Sequence, residues 1–156
     1  MIKTNVMRLL EQAKIEYTAL EYEFDENALG GEHAADFLGL PYEQVFKTLV
    51  TRGSKGGIYV FCIPVDTELD LKKAAQCAGE KKIEMIHVKE LLGITGYIRG
   101  GCSPIGMKKK FPTFIDETAI LYDVISVSGG QRGVQIRLSP LELAEYIGAE
   151  FADIGY

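Results

Sequence analysis

Apolar positions along the chain change their period repeatedly, and each change predicts a switch between helix and strand. Val6, Leu9, Leu10 and Ala13 recur at i, i+3, i+4 and i+7, the spacing of one helix face, with Thr4 or Asn5 ahead of them as a cap. Residues 17–24 alternate with a period of two and read as a strand. Gly30-Gly31 then break the pattern before a short helix over 32–38, stopped by Gly39. The clearest strands are 45–51 and 58–65, both β-branched and aromatic, joined through Gly53-Ser54-Lys55-Gly56-Gly57 as a hairpin. Beyond them the pattern predicts a helix over 70–78, a strand over 82–86 and a helix over 88–92. Further strands follow at 113–115, 124–127 and 134–138.

The last helix carries its own start signal. Ser139 stands at the cap, Pro140 at the first helical position and Glu142 where a capping box places its acid. The terminal Phe151-Ala152-Asp153-Ile154 is apolar enough to pack back on the sheet. Helices and strands are intermixed and one strand pair is a hairpin. This points to a mixed α/β (α+β) fold, with a partly barrel-like mixed sheet surrounded by helices, rather than a doubly wound parallel sheet. No linker, repeat or low-complexity segment interrupts the chain, so residues 1–156 read as a single domain.

Composition narrows the classes. A hydrophobic content of 47% over 156 residues can build a core without covalent staples. No apolar run approaches the ~18–20 residues that span a bilayer. Met1-Ile2-Lys3-Thr4-Asn5 leads into an amphipathic pattern rather than a signal-peptide core, and the expected location is the cytoplasm. Cys62, Cys77 and Cys102 form no CxxC pair and fall at no metal-ligand spacing with His33 or His87, so neither zinc nor a disulfide framework is expected. Cys62, inside Ile58-Tyr59-Val60-Phe61-Cys62-Ile63, reads as a small core residue. A formal net charge of −5 argues against bulk coating of nucleic acid but leaves room for a local basic patch, Lys108-Lys109-Lys110, which otherwise reads as a solvated turn.

Three features could carry chemistry. Lys47 interrupts the apolar run Val45-Phe46-Lys47-Thr48-Leu49-Val50. It is either the solvent-facing lysine of an alternating strand or a cation at a pocket wall, able to hold a phosphate or a polarised carbonyl. Gly100-Gly101-Cys102-Ser103-Pro104 and Ser128-Gly129-Gly130 are either ordinary turns or backbone cradles whose consecutive N–H groups bind an oxyanion. No catalytic triad is visible: His87 has no adjacent nucleophile, and Cys102 has no histidine near it in sequence. Asp66, Asp70 and Asp116 read as caps or turn residues.

With these residues in view, the chain resembles the YbaK/EbsC family, the stand-alone relatives of the prolyl-tRNA synthetase editing domain. The resemblance spans nearly the whole chain. Its anchors are Val45-Phe46-Lys47-Thr48-Leu49, Leu69-Asp70-Leu71-Lys72-Lys73, Thr95-Gly96-Tyr97, Gly100-Gly101-Cys102-Ser103-Pro104-Ile105-Gly106 and Val127-Ser128-Gly129-Gly130-Gln131-Arg132-Gly133. It implies hydrolysis of the aminoacyl ester of a mischarged tRNA, without a metal or cofactor. The YbaK branch is the nearest, and it removes cysteine from tRNA(Pro) and tRNA(Cys). In that branch the substrate thiol attacks its own carbonyl and leaves as a thiolactone, which agrees with the missing triad.

Carried over residue by residue, the resemblance makes Lys47 the catalytic residue, holding the terminal adenosine and the phosphate or ester region. Tyr22 and Thr48 would line the pocket. Gly100, Gly101 and Ser103 would contact the aminoacyl group, with Ser128 and Gly129 opposite. Arg132, Lys108, Lys109 and Lys110 would meet the tRNA acceptor end. Implied partners are aminoacyl-tRNA and prolyl-tRNA synthetase, with the oligomeric state open. The chain departs from the family at Leu29-Gly30, where a bulky aromatic is frequent, and at Gln135, where an aspartate is common. Both bear on amino-acid selectivity. A deacylase for another small aminoacyl-tRNA such as Ala-tRNA, and a non-catalytic tRNA- or nucleotide-binding module docking on a synthetase, stand as alternatives.

Overall fold

Local signals set the helix boundaries. In the computed structural model, which describes residues 3–156, the Thr4 hydroxyl accepts from the Met7 amide and opens α1 (Asn5–Gln12), burying Val6, Met7 and Leu10. The reading of Met1 and Ile2 lies outside the described residues. Asp70 accepts from the amides of Lys72 and Lys73 to start α3 (Leu71–Ala78), following α2 (Gly31–Leu38) in the chain. Next come α4 (Val88–Thr95) and α5 (Pro140–Ile147), the latter capped by the Ser139 hydroxyl and carrying Pro at its first turn. After α2, α3, α4 and α5 alike, a glycine in the left-handed region ends the helix.

The strands form two sheets. One is antiparallel, ordered β1 (Tyr17–Glu21), β7 (Val134–Leu138), β6 (Ile125–Ser128). The other is mixed and centred on the hairpin of β2 (Phe46–Gly53) and β3 (Ile58–Pro64). β4 (Ile83–Met85) adds to β2 antiparallel, while β5 (Thr113–Asp116) and β8 (Glu150–Ala152) add in parallel beyond β3. The mixed α/β class holds, and the chain end does return to the sheet as β8. The barrel-like curl takes the form of two separate sheets with no closed barrel. They meet where Val45, just ahead of β2, bridges Ser126 of β6 in parallel.

One core is shared by the two sheets, with Phe46, Cys62 and Ile115 of the mixed sheet in it, and a second lies on the other face of the mixed sheet. Val6 and Leu10 of α1 pack with Ile136, Leu138 and Leu143 under the antiparallel sheet, and Phe46 and Ile105 join them from outside it. Phe61 and Ile63 of β3 pack with Ala74 and Ala75 of α3, with Phe114 stacked on Phe61 at 5.4 Å. Asp116, itself buried, accepts from the amides of Ile154 and Gly155 and from Thr118, so its carboxylate fastens the chain end and starts a 3₁₀ turn. No helix among the described residues is long and apolar enough to cross a membrane.

Candidate functional site

The seam between the two sheets opens as a cleft of about 90 Å³. Its floor is Val45 and the start of β2, Phe46, Lys47 and Thr48; Tyr22 and Gly31 close one side, and Gly100, Cys102, Ser128 and Gln135 the other. Lys47 is half-buried at this wall and has no ion pair or hydrogen bond among the described residues. The strand alternation that would have turned it to solvent fails for a topological reason. Val45 is buried against Ala35 and Val65, and β2 begins under β6 rather than at a free edge.

The two glycine loops stack on one another beside this cleft. Gly100 adopts φ 88°, a conformation that side-chain-bearing residues rarely adopt, and a Cβ there would lie 3.1 Å from Leu29. Gly101 faces backbone: a Cβ would approach Gln131 and the Arg132 amide to about 3.1 Å, so its absence lets the loops touch. Arg132 seals the contact by donating its Nε to the Arg99 carbonyl at 2.8 Å. Tyr97, whose hydroxyl donates to the Ile105 carbonyl, anchors the far end of the first loop.

Five of the residues expected in the site thus converge on the cleft: Tyr22, Lys47, Thr48, Gly100 and Ser128. Three others stand behind it. Ser103 is fully buried and accepts from the Ile105 amide, fixing the turn. Gly129 packs inward, where a Cβ would meet Val134 at 2.5 Å, and Gly101 serves the contact between loops. Conversely, Phe46, Cys102, Gln135, Val45 and Gly31 line the cleft without having been assigned to it, although the glycine loop and the Gln135 departure pointed to two of them.

Among its wall residues the cleft has no carboxylate and no histidine. Burial pushes the Cys102 thiol up to about 12, so it stays protonated at neutral pH and is a weak nucleophile. Cys62, fully buried behind the wall at 3.8 Å from the Thr48 hydroxyl, is likewise pushed up to about 12 by burial. Ser126 donates to the Gln135 Oε1 at 2.6 Å, which orients that amide in the wall. His33 donates from Nε2 to the Glu23 carbonyl at 2.9 Å, and His87 sits at the start of α4. Among the described residues no group of His, Cys, Asp and Glu side chains is placed to hold a metal ion.

The lysine triplet divides. Lys108 lies over Gly96 and donates to the Gly93 carbonyl of α4 at 3.4 Å, while Lys109 and Lys110 line a separate cavity.

The model of the aminoacyl-tRNA editing domain matches residues 25–146. EbsC of Enterococcus faecalis, named as a candidate Cys-tRNA(Pro)/Cys-tRNA(Cys) deacylase, is 51% identical over 152 residues, covering 97% of this chain and 93% of its own. A proline–tRNA ligase of Thermosipho africanus is 30% identical over 90 residues, which is 58% of this chain and 16% of the ligase. The crystal structure of a candidate trans-editing enzyme for prolyl-tRNA synthetase superposes with a TM-score of 0.82 at 26% identity, covering 100% of this chain and 99% of that one.

Proposed function

The chain belongs to the aminoacyl-tRNA editing-domain family, and from that premise we propose that it is a hydrolase that deacylates mischarged tRNA, with Cys-tRNA(Pro) and Cys-tRNA(Cys) as substrates. The observation that carries the reading is a cleft with a cation and backbone at its wall, no carboxylate or histidine to activate a nucleophile, and a thiol, Cys102, that burial keeps protonated. A nucleophile must then come from the substrate or from water. Cysteine brings its own: its sulfur forms a bond to the ester carbonyl carbon, the bond from that carbon to the ribose oxygen breaks, and the ribose oxygen takes the proton. The small cyclic thioester released is opened by water to free cysteine.

In this reading Lys47 lies against the ester and terminal phosphate region, where its charge opposes the negative charge that develops on the carbonyl oxygen. Thr48 and Tyr22 confine the aminoacyl group, and Gly100 and Ser128 bound it from the loop side. A narrow cleft holds thiol and carbonyl together, and such proximity is worth up to about 7–11 kcal/mol of barrier in well-oriented intramolecular reactions. Gly101, Ser103 and Gly129 contribute by holding the loops in place. Residues 1–156 act as one domain, and the place of work is the cytoplasm, where aminoacyl-tRNA is made and used. Prolyl-tRNA synthetase is the proposed partner, because a chain of net charge −5 gains little from bulk attraction to tRNA.

The test is deacylation of Cys-tRNA(Pro) by the wild type and Lys47→Ala, each with and without prolyl-tRNA synthetase. The reading expects turnover by the wild type, its loss in the variant, and a gain on adding the synthetase. Saturable tRNA binding with no release of cysteine would make the chain a binding module instead.

A further inference from the structure

Behind the loop that carries Gly100 and Cys102 lies a second cavity that the cleft chemistry does not use. Pro104 and Gly106 form its near wall, so one loop separates it from the cleft that Gly100 and Cys102 line. It measures about 240 Å³ and is bounded further by Lys109, Lys110, Phe111 and Tyr146. No acidic side chain lines it, although the chain as a whole carries 22 acidic against 17 basic residues. Neither Lys109 nor Lys110 makes a hydrogen bond or ion pair among the described residues, whereas Lys3, Lys73, Lys82 and Arg52 each hold a carboxylate.

The two lysines differ in their surroundings. Lys110 lies beside Gly148, the residue that ends α5, and a Cβ there would be 3.3 Å from its ammonium nitrogen. The negative end of that helix attracts the Lys110 ammonium but can offset only part of its charge. Lys109 precedes it in the chain and lines the same cavity. Both lysines line the cavity without a carboxylate among its walls, so an anion held there meets net positive charge. Phe111 and Tyr146 add aromatic surface on which a flat ring can stack. The volume falls below the range typical of drug-sized ligands, about 300–1,000 Å³, and suits a single nucleotide unit.

We propose that the Lys109–Lys110 cavity is a second ligand site that takes one nucleotide unit, with its phosphate at the two ammonium groups and its ring against Phe111 and Tyr146. The unit comes either from a free nucleotide or from an RNA strand that continues past the cleft. The site does not depend on the deacylase reading, because none of its residues lines the cleft.

The experiment is amide NMR of the full 156-residue chain, titrated with AMP and separately with uncharged tRNA. Shifts are expected at Met107, Lys109, Phe111 and Ile147, persisting in Lys47→Ala and lost in the double variant Lys109→Gln/Lys110→Gln. Both lysines are exposed, so the rest of the double variant's spectrum should overlay on the wild type, and Lys109→Arg/Lys110→Arg should keep the response. Response to AMP identifies the free nucleotide as the source. Response to tRNA alone identifies the strand, and the slope of log affinity against log salt then falls by about 1 for each lysine removed. No response at these residues to either probe, or a response that survives the Gln variant, overturns the proposal.

Discussion

Lys47 was conspicuous in the sequence as a charge inside an apolar strand, but its setting was not. Whether such a lysine meets solvent or a cleft depends on what covers the start of β2, and the covering strand, β6, lies far along the chain. Its proposed role predicts that Lys47→Ala lowers kcat/KM for Cys-tRNA by about 10²–10³, the cost of losing one charge-stabilising group, without moving the melting midpoint. Cys102 carries a complementary prediction. Its thiol stays neutral in the activity range, so Cys102→Ala should keep turnover and give a pH–rate profile that overlays the wild type; loss of activity would assign the nucleophile to the protein. The same burial has a consequence for stability. A thiol raised from 9.0 to about 12 favours folding fully below pH 9, where it is protonated in both states, and that contribution is lost as pH climbs toward 12. Urea midpoints should therefore fall between pH 8 and pH 10.5, about 1.4 kcal/mol per pH unit above 9 for each such thiol, and less steeply in Cys102→Ala.

At the scale of elements, period and capping chemistry were legible and long-range pairing was not. The caps at Thr4, Asp70 and Ser139 stand where the sequence places them, because each depends only on its next three residues. The strand expected over 17–24 stops at Glu21. The Tyr22 amide still bonds the Gly133 carbonyl, after which the chain departs into a turn closed between Asp25 and Ala28. The helix expected to end at Leu92 runs through Gly93 to Thr95, since the left-handed residue is Gly96. Val45 is lost from β2 because its partner is Ser126 in the other sheet. Two substitutions test this level. Ser139→Ala should cost about 1 kcal/mol and lower the melting midpoint by about 2–4 °C, with deacylation unchanged because α5 lends nothing to the cleft. Gly129→Ala places a methyl 2.5 Å from Val134, so it should destabilise the fold by about 1–3 kcal/mol, which a denaturant titration measures.

For the whole molecule, the resemblance stated from the sequence reached the fold class and the family, while the division into two sheets needed coordinates. Among the described residues the two sheets are joined through backbone at the Val45–Ser126 bridge, and the start of β2 and the two glycine loops enclose a small space beside it. No carboxylate or histidine lines that seam to activate a nucleophile, so in the proposed reaction substrate choice is a question of chemistry as much as of fit. Of cysteine and alanine, only cysteine brings a nucleophile. The most direct measurement is therefore the single-turnover rate of the wild type on Cys-tRNA(Pro) against Ala-tRNA(Pro). A substrate-thiol mechanism predicts that the cysteinyl ester is released faster by roughly 10²-fold or more, reflecting intramolecular attack. Equal rates, or a faster release of alanine, would contradict it and assign the attack to water.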